Sequence, residues 1–247
     1  MIVVIDYEAG NLRSVMNALA AIGQPAVISG DPQVIGAASA IILPGVGAFG
    51  DCMASLRRQN LVEVLTQQVV VEKKPFLGIC LGLQFLAERS LEHGEHQGLG
   101  WVKATVKKIE TGDRQYRVPH IGWNTIELKE SSPLFKGIAE EPVVYFVHSY
   151  HLVLEDDPEA VVTSTCMHGI EITASIQKNN IHAVQFHPEK SQQCGLKILE
   201  NFATLIHGED HAEEKTDSSP DHQGRAGGSE RPVQAYQYHS LHAGHGG

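Results

Sequence analysis

The sequence lacks both a basic cluster and a long apolar run, and each absence excludes a class of partner. Its 247 residues carry 29 acidic and 19 basic side chains, which gives a formal net charge of −10. The lysines and arginines form no cluster, so we expect neither nucleic acid nor an anionic membrane as a partner. No apolar segment approaches the roughly 20 residues that a membrane-spanning helix needs.

Cysteine is also scarce, and the four that occur show no pairing pattern. Cys52, Cys80, Cys166 and Cys194 are widely separated, without the close spacing of a disulfide framework or a metal-binding motif. We therefore expect no metal site and no cofactor. Residues 1–6 read as a strand rather than as the charged start of a secretory signal. Together these features predict a cytoplasmic protein in a reducing compartment.

The most informative segment that is present places a cysteine between two glycines. Residues 78–84 read Gly-Ile-Cys-Leu-Gly-Leu-Gln and follow the apolar run 75–77. A strand ending at Cys80, with a helix predicted over 83–88, would leave the thiol on a sharp turn that the flanking glycines allow to close. This pattern is typical of a nucleophile elbow with cysteine in place of serine. The N-terminal amides of the helix would then favour the thiolate.

A candidate base for this thiol lies 107 residues further along the chain (187 − 80 = 107). His187 and Glu189 are two residues apart, and Pro188 favours an extended His187, so the two side chains are expected on one side. Glu189 would then orient the His187 imidazole, which would take a proton from Cys80. Taken singly, a buried cysteine is usually inert and a histidine after a strand is usually structural. The combination favours a Cys-His-Glu triad.

The first part of the chain alternates between short apolar strands and helices. Continuous apolar strands between helices favour an α/β fold with a mostly parallel central sheet flanked by helices. Active sites of such sheets lie at the carboxyl ends of the strands, where Cys80 and the loop 44–47 are both expected. The predicted strands are 2–5, 26–28, 40–43 and 76–79, and the predicted helices are 12–19 and 56–71.

Residues 101–187 contain short alternating segments, which predict an antiparallel β portion attached to this core. Asn179-Asn180 favours a tight hairpin turn, and 191–206 is predicted as a closing helix. The predicted strands are 102–109, 125–128, 143–147, 160–165, 170–176 and 181–186.

The end of the chain differs in composition from the rest. Residues 208–247 are rich in Gly, His, Ser and acidic groups, with few aliphatic side chains. The five histidines there raise the alternative of a metal-binding tail, but their uneven spacing matches no ligand pattern. The composition favours a disordered extension after a single domain of residues 1–207.

Several segments together resemble a known family. Residues 78–84, taken with Phe-His-Pro-Glu at 186–189, resemble the class I (triad) glutamine amidotransferases. The resemblance runs from residue 1 to about residue 206 and implies a flavodoxin-like core. More narrowly, the chain is similar to the glutaminase subunits of imidazole glycerol phosphate synthases at residues 6–14, 119–124 and 145–150.

The resemblance implies a reaction and a role for each site residue. Cys80 would attack the side-chain amide of L-glutamine, with His187 moving protons and Glu189 orienting it, to give L-glutamate and ammonia. The backbone amides of Val46 and Leu81 would form the oxyanion hole. Without the resemblance, the residues of this loop and of the substrate site also fit an ordinary turn and an ordinary strand end. The implied substrate contacts are Gly47, Gln84, Ser149 and Tyr150.

The resemblance also implies a partner, because free ammonia in water is protonated and lost as a nucleophile. The partner would be a (β/α)8-barrel cyclase subunit in a heterodimer. It would use ammonia to release imidazole glycerol phosphate and aminoimidazole carboxamide ribonucleotide in L-histidine biosynthesis. Trp123 fits core packing equally well. The residues implied to face the partner are Asn11, Trp123, Tyr145 and Lys190.

One position departs from the family pattern, and three other functions fit the same triad. The family usually has glycine where this chain has Glu8, which puts the local turn in question. A glutaminase serving anthranilate, aminodeoxychorismate or GMP synthesis is one alternative, although residues 6–7 and 119–124 argue against it. A stand-alone cysteine hydrolase of this fold is the second and would work without a synthase. A silent scaffold that only activates the cyclase is the third, and the intact triad argues against it.

Overall fold

The computed structural model describes residues 1–113 and 115–208, which form three β-sheets and six α-helices. The helices are α1 Leu12–Ala21, α2 Pro32–Gly36, α3 Phe49–Arg58, α4 Leu61–Thr66, α5 Leu81–Gln84 and α6 Gln192–Gly208. The strands are β1 Ile2–Ile5, β2 Ala26–Ser29, β3 Ala40–Gly45, β4 Phe76–Cys80, β5 Ala87–Ser90, β6 His96–Gln97, β7 Val102–Lys108, β8 His120–Thr125, β9 Glu127–Leu128, β10 Val143–His148, β11 Tyr150–Leu154, β12 Ala160–Met167, β13 Glu171–Lys178 and β14 Ile181–Val184.

The largest sheet has eight strands in the order β2-β1-β3-β4-β14-β13-β12-β9. Strands β2, β1, β3, β4 and β14 are parallel to one another, and this order matches the flavodoxin-like pattern. Strands β13, β12 and β9 continue the sheet in antiparallel fashion. The predicted α/β fold with an added antiparallel portion is therefore confirmed.

Helices cover both faces of this sheet, because its central parallel strands β1, β3, β4 and β14 are buried at every position. All four residues of β1 are buried, and alternate side chains enter different hydrophobic clusters, with Val3 in one and Val4 in the other. Helices α3 and α4 pack on the Val3 side, where Phe49 and Leu61 are fully buried. Helices α1 and α6 pack on the opposite side. This packing on both faces fixes the end of the sheet at which β3 and β4 have their carboxyl ends.

Two smaller sheets complete the antiparallel portion. Strands β11, β7, β5 and β6 form one of them, and β10 and β8 pair in a two-stranded ribbon. The predicted hairpin turn at Asn179 joins β13 to β14, and Asn179 has a left-handed φ of 53°. Strands β5, β6, β8 and β11 were not expected from the sequence, since the strand predicted over 125–128 reaches only the last residue of β8. The predicted closing helix is α6, while the predicted disordered extension lies, beyond Gly208, outside the described residues.

Two predicted helices differ from the structure. The helix predicted over 56–71 begins earlier, at Phe49, and is interrupted by Asn60, whose left-handed φ of 55° ends α3 and starts α4. A π-helical turn over Gln67–Val71 follows α4. The helix predicted over 83–88 is wrong: α5 has only four residues.

Residues that follow α5 form strand β5 because they pair with β7, and this tertiary pairing overrides the local helical preference. A helix of the predicted length therefore does not follow Cys80. Within the described ranges, no helix combines the length and the apolar character that crossing a membrane requires.

Candidate active site

Cys80 ends β4 in a strained turn. Its φ of 55° and ψ of −106° lie in a region that non-glycine residues rarely adopt, and such residues concentrate at functional sites. The neighbouring glycines are needed for close packing. A Cβ on Gly78 would lie 2.7 Å from the carbonyl oxygen of Gly82, and one on Gly82 would overlap the carbonyl oxygen of Leu43. The glycines thus allow β4 and α5 to pack closely together and α5 to pack closely on β3. The thiol is left at the carboxyl end of β4.

His187 and Glu189 form a buried hydrogen-bonded pair. His187 has an extended backbone, but Pro188–Lys190 forms a 3-10 turn instead of continuing the extension. This turn brings Glu189 Oε1 to 2.7 Å from His187 Nδ1, with both side chains at most 3% exposed. The expected pairing thus arises from a turn rather than from extended backbone.

The backbone of His187 is itself anchored. Its N–H donates to the carbonyl of Tyr145 at 2.9 Å, and its carbonyl accepts from Ser191 Oγ at 2.6 Å. Ser191 Oγ also accepts from the Tyr145 N–H at 3.0 Å. These bonds attach the predicted base to strand β10 of the two-stranded ribbon.

The surroundings of His187 favour its protonated form. Burial alone would lower the pKa of the imidazole, but the thiol of Cys80 and the carboxylate of Glu189 outweigh this and raise the pKa to about 9. Nε2 of His187 has no hydrogen-bond partner in the described part of the chain. The thiol instead accepts from Gln185 Nε2 at 3.7 Å. The predicted nucleophile and the predicted base are neighbours, in an arrangement that can tighten when a substrate binds.

A single cavity of about 340 Å³ contains most of the predicted site residues. Its size lies in the range of small-molecule pockets. His187 and Glu189 do not line it and lie behind the cavity wall formed by Cys80. The lining residues are Val46, Gly47, Cys80, Leu81, Gln84, Glu92, Pro119, Val147, His148, Ser149 and Tyr150.

The loop that follows β3 forms one wall of the cavity and is supported from below. Val46 is 39% exposed, and its carbonyl accepts from Cys52 Sγ at 3.6 Å. Gly47 has a φ of 116°, which favours glycine. A Cβ on Gly45, the last residue of β3, would lie 2.7 Å from the Tyr7 hydroxyl oxygen, so the chain packs closely on Tyr7 where this loop begins.

Sequence reasoning missed Gln185 and Glu92. Gln185 is fully buried and its Oε1 accepts from Gln84 Nε2 at 3.0 Å, while Gln84 Nε2 also donates to the carbonyl of Tyr150 at 2.9 Å. Glu92 Oε2 accepts from the N–H of Phe49 at 2.7 Å. The available signal for Gln185 was a polar residue between a buried strand and the His-Pro-Glu segment, because a buried amide needs partners.

Three of the four residues predicted to face a partner form one stack. The ring centroids of Trp123 and Tyr145 are 5.7 Å apart in an edge-to-face arrangement, and Lys190 Nζ lies 5.7 Å from the Tyr145 centroid. Trp123 is 49% exposed, so core packing is the wrong interpretation for it. Asn11 is exposed at the start of α1 and is not a member of this stack.

Glu8, where the family usually has glycine, has a backbone conformation that favours glycine. Glu8 has a left-handed φ of 67°, which explains why glycine suits this position. Its N–H donates to Asp6 Oδ1 at 3.0 Å. Its carboxylate is 3.9 Å from the guanidinium of Arg58, but both side chains are largely exposed, so the pair contributes little.

Residues 1–113 and 115–208 contain no cluster of three or more His, Cys, Asp or Glu side chains that could hold a metal ion.

Comparisons with known proteins identify the family. A family model described as glutamine amidotransferase class-I matches residues 3–206. The chain is 52% identical over 202 residues to imidazole glycerol phosphate synthase subunit HisH of Aquifex aeolicus (strain VF5), covering 81% of this chain and 94% of the relative. It is 47% identical over 206 residues to the subunit of the same name from Methanothermobacter thermautotrophicus (strain Delta H), covering 83% and 99%.

Solved structures agree on the fold. The crystal structure of a glutamine amidotransferase superposes with a TM-score of 0.65 at 18% identity, covering 84% of this chain and 100% of that one. A chain of PurLQS from Thermotoga maritima gives 0.63 at 19% identity, covering 83% and 98%. Identities this low show the fold alone, whereas the family model and the HisH relatives show the family. The chain belongs to the class I glutamine amidotransferases, among the HisH subunits of imidazole glycerol phosphate synthase.

Proposed function

We propose that this protein is the glutaminase subunit of an imidazole glycerol phosphate synthase and supplies ammonia for L-histidine biosynthesis. The observation that carries the assignment is one cavity in which Cys80, on a strained turn, is backed by the buried His187–Glu189 pair. The close relatives named HisH support the synthase that uses the ammonia.

Cys80 is the nucleophile and His187 the proton carrier. The Cys80 thiolate attacks the side-chain amide carbon of L-glutamine, and a C–S bond forms while the carbonyl oxygen becomes an oxyanion. When the oxyanion collapses, the C–N bond breaks and His187 protonates the departing nitrogen, which leaves as ammonia. The product of this step is a thioester between Cys80 and the glutamyl group.

The second half-reaction regenerates the thiol. His187, now neutral, takes a proton from water, and the resulting hydroxide attacks the thioester carbon. The C–S bond breaks, L-glutamate leaves, and Cys80 recovers its negative charge beside the His187 imidazolium. Glu189 stabilises that imidazolium through the 2.7 Å hydrogen bond to Nδ1.

Backbone amides stabilise the oxyanion of both half-reactions. We assign the amides of Leu81, directly after the nucleophile, and of Val46, on the loop that follows the neighbouring strand β3 and lines the same cavity. Each such donor typically contributes about 3 kcal/mol to the transition state.

The amino-acid end of the substrate lies against Gln84, Ser149 and Tyr150. Both amide hydrogens of Gln84 are already donated, to the Tyr150 carbonyl and to Gln185. Only Oε1 of Gln84 is left for the substrate, and an acceptor suits the α-ammonium group.

The synthase partner is a (β/α)8-barrel cyclase that forms a heterodimer with this chain and receives ammonia through the barrel. Support comes from the exposed stack of Trp123 and Tyr145 and from Ile121, which is 60% exposed on the same ribbon. All four cysteines are free, which fits a cytoplasmic location.

The decisive experiment measures glutamine hydrolysis with and without the cyclase and its nucleotide ligand. We expect slow turnover alone, strong activation by the liganded partner, and no activity for Cys80→Ala. Cys166→Ala is the matched control, since that cysteine is buried on β12, outside the cavity. Activity retained by Cys80→Ala would contradict the nucleophile assignment. Full turnover without the partner would favour a stand-alone hydrolase.

A further inference from the structure

A chain of hydrogen bonds connects the nucleophile to the exposed two-stranded ribbon. Its inner half comprises Cys80, Gln185, Gln84 and the carbonyl of Tyr150. Gln84 Nε2 donates at 2.9 Å to that carbonyl and at 3.0 Å to Gln185 Oε1. Because Gln185 Oε1 is an acceptor, its Nε2 must point the other way, and it lies 3.7 Å from Cys80 Sγ.

The outer half starts at Asn124 on β8. The Oδ1 atom of Asn124 accepts from the N–H of Thr125 at 2.9 Å, which fixes the orientation of the amide. Nδ2 therefore carries the donors, and it lies 3.0 Å from the carbonyl of Met167 and 3.2 Å from Nε2 of His120. His120 Nε2 is consequently an acceptor.

The tautomers of the two histidines follow from this orientation. With Nε2 accepting, neutral His120 carries its proton on Nδ1 and donates it to Nε2 of His148 at 3.0 Å. His148 in turn carries its proton on Nδ1, which donates to the carbonyl of Tyr150 at 2.9 Å. Each bond determines the direction of the next.

Both histidines stay neutral at physiological pH, so this pattern persists. Burial lowers the pKa of His148 to about 3 and that of His120 to about 4, with neighbouring histidines adding to the effect. His120 is also fixed between two rings, stacked 4.6 Å from Phe146 and 4.1 Å from His168 between centroids. A neutral, stacked imidazole holds one tautomer and one position.

The two halves meet at the carbonyl of Tyr150, which accepts from both His148 and Gln84. Side chains alternate along β8, so His120 and Asn124 face inward while Ile121 and Trp123 face outward. Residues on one strand thus belong both to the inner chain and to the exposed apolar surface.

We propose that Gln185 is a positioning residue for the Cys80 thiol, and that the hydrogen-bond chain from Asn124 through His120, His148, Tyr150 and Gln84 holds it in place. The amide of Gln185 donates to the sulfur and stabilises the thiolate in its attacking position. The relevance for catalysis rests on the proposed glutaminase function. A change in the hydrogen bonds of the ribbon changes those of the Tyr150 carbonyl. It then changes the positions of the Gln84 and Gln185 amides, and with them the hydrogen bond that stabilises the thiolate.

The test is the alkylation rate of Cys80 by iodoacetamide at pH 7, followed by mass spectrometry of the peptide that contains it. In this reaction the thiolate displaces iodide, so the rate reports the thiolate without requiring glutaminase activity. Gln185→Met keeps the length of the side chain and removes the donor, and we expect alkylation about tenfold slower. Gln185→Glu keeps the acceptor for Gln84 but places a negative charge near the sulfur, and we expect a larger decrease.

The outer half is tested with Asn124→Asp, which keeps the acceptor for Thr125 and removes the donor to His120. We expect a decrease of a few-fold, and less than the sum of the separate effects when it is combined with Gln185→Met, because both act through one chain. His182→Asn is the matched control, since His182 is a buried histidine on β14 and is not a member of the chain. Its alkylation rate should equal that of the wild type.

Three results distinguish the possibilities. A folded Gln185→Met variant alkylated at the wild-type rate overturns the proposal. Slower alkylation of Gln185→Met with no effect of Asn124→Asp overturns the part of the chain beyond Gln84. If the alkylation rates change as expected while glutamine is not hydrolysed with any partner, the proposed function fails and the positioning role stands. With hydrolysis intact, Gln185→Met should lower kcat about tenfold and change KM less than about twofold.

Discussion

Nδ1 of His187 lies 2.7 Å from Oε1 of Glu189, and both side chains are buried. The other carboxylate oxygen of Glu189 makes no hydrogen bond in the described part of the chain, so His187 is its principal partner. The Cys80 thiol and this buried carboxylate together stabilise the charged imidazolium, which is why the pKa of His187 rises despite its burial. The proposed base and the carboxylate that orients it are therefore also one electrostatic unit.

Glu189→Gln should lower kcat for glutamine hydrolysis by about 10²–10⁴, because an amide cannot stabilise the imidazolium and can favour the wrong tautomer. The pH profile of kcat/KM should show its His187 limb moved to lower pH. Glu200→Gln, an exposed substitution on α6, is the control. An unchanged pH profile would show that Glu189 does not govern the base.

The same pair predicts a loss of stability in alkaline solution. The pKa of His187 in the folded protein is about 9, above its ordinary value of 6.5, so its stabilising contribution is complete below pH 6.5 and disappears as the pH rises to about 9. Unfolding free energies measured in urea at about pH 6, 7.5 and 9 should decline for the wild type. In Glu189→Gln the decline should be smaller, and an equal decline would contradict the assignment.

Acid should destabilise the protein through a different set of histidines. Burial lowers the pKa of His148 to about 3, and those of His120 and His182 to about 4, all below the ordinary 6.5. In this pH range the unfolded chain therefore binds more protons than the folded chain. The free energy of unfolding falls as the pH drops from about 6.5 towards 4. Each histidine contributes up to about 1.4 kcal/mol per pH unit. Urea unfolding at about pH 7, 6 and 5 measures this slope, and His182→Asn should reduce it by about one such contribution.

Gly82→Ala should prevent the elbow from closing. Its new Cβ would overlap the carbonyl oxygen of Leu43, a backbone atom of β3 that cannot move without disturbing the central sheet. We expect a loss of stability of at least about 3 kcal/mol, and loss of activity in any protein that still folds. Gly36→Ala is the control, because nothing lies within 4 Å of its added Cβ and α2 is exposed there. Equal unfolding free energies for the two variants would contradict this account.

Local features made the centre of the site predictable from the sequence. The two glycines around Cys80 are close to it in the sequence, and His187 is close to Glu189. Each group therefore forms a local motif that the sequence shows directly. The contact of Gln185 was not predicted, because a polar residue beside the His-Pro-Glu segment does not indicate which partner it binds, and Gln84 lies 101 residues distant. Glu92, which accepts a hydrogen bond from the N–H of Phe49, was not predicted either, because its partner is also distant in the sequence.

The errors in secondary structure have a similar cause. The segment after Cys80 has helical local preference, but pairing of β5 with β7 stops α5 after Gln84. The long helix predicted over 56–71 failed at Asn60, where a single left-handed residue redirects the chain. Both outcomes depend on contacts or backbone choices that apolar periodicity does not encode. The parallel core, in contrast, followed from alternating strands and helices.

Glu8→Gly should stabilise the protein. Glu8 has a left-handed φ of 67°, which costs an ordinary residue about 1–2 kcal/mol and a glycine nothing. The greater entropy of glycine in the unfolded chain offsets part of this, so we expect a net gain of about 0.5–1 kcal/mol. Glu8→Ala is the control: it removes the exposed pair with Arg58 but keeps the strain, and it should change stability by less than about 0.5 kcal/mol. Equal stabilisation by both variants would assign the effect to charge rather than to backbone.

Trp123→Ala should weaken partner binding without unfolding the chain. The indole is 49% exposed and contacts Tyr145 edge to face, so truncation removes little buried area and should cost at most about 1 kcal/mol of stability. In contrast, an exposed tryptophan at the centre of an interface typically contributes about 2 kcal/mol or more, roughly a 30-fold change in Kd. Titration of the cyclase subunit measures Kd. Val71→Ala, at an apolar residue 60% exposed at the end of the π-helical turn, is the control. Equal Kd values for the two variants would place the interface elsewhere on the surface.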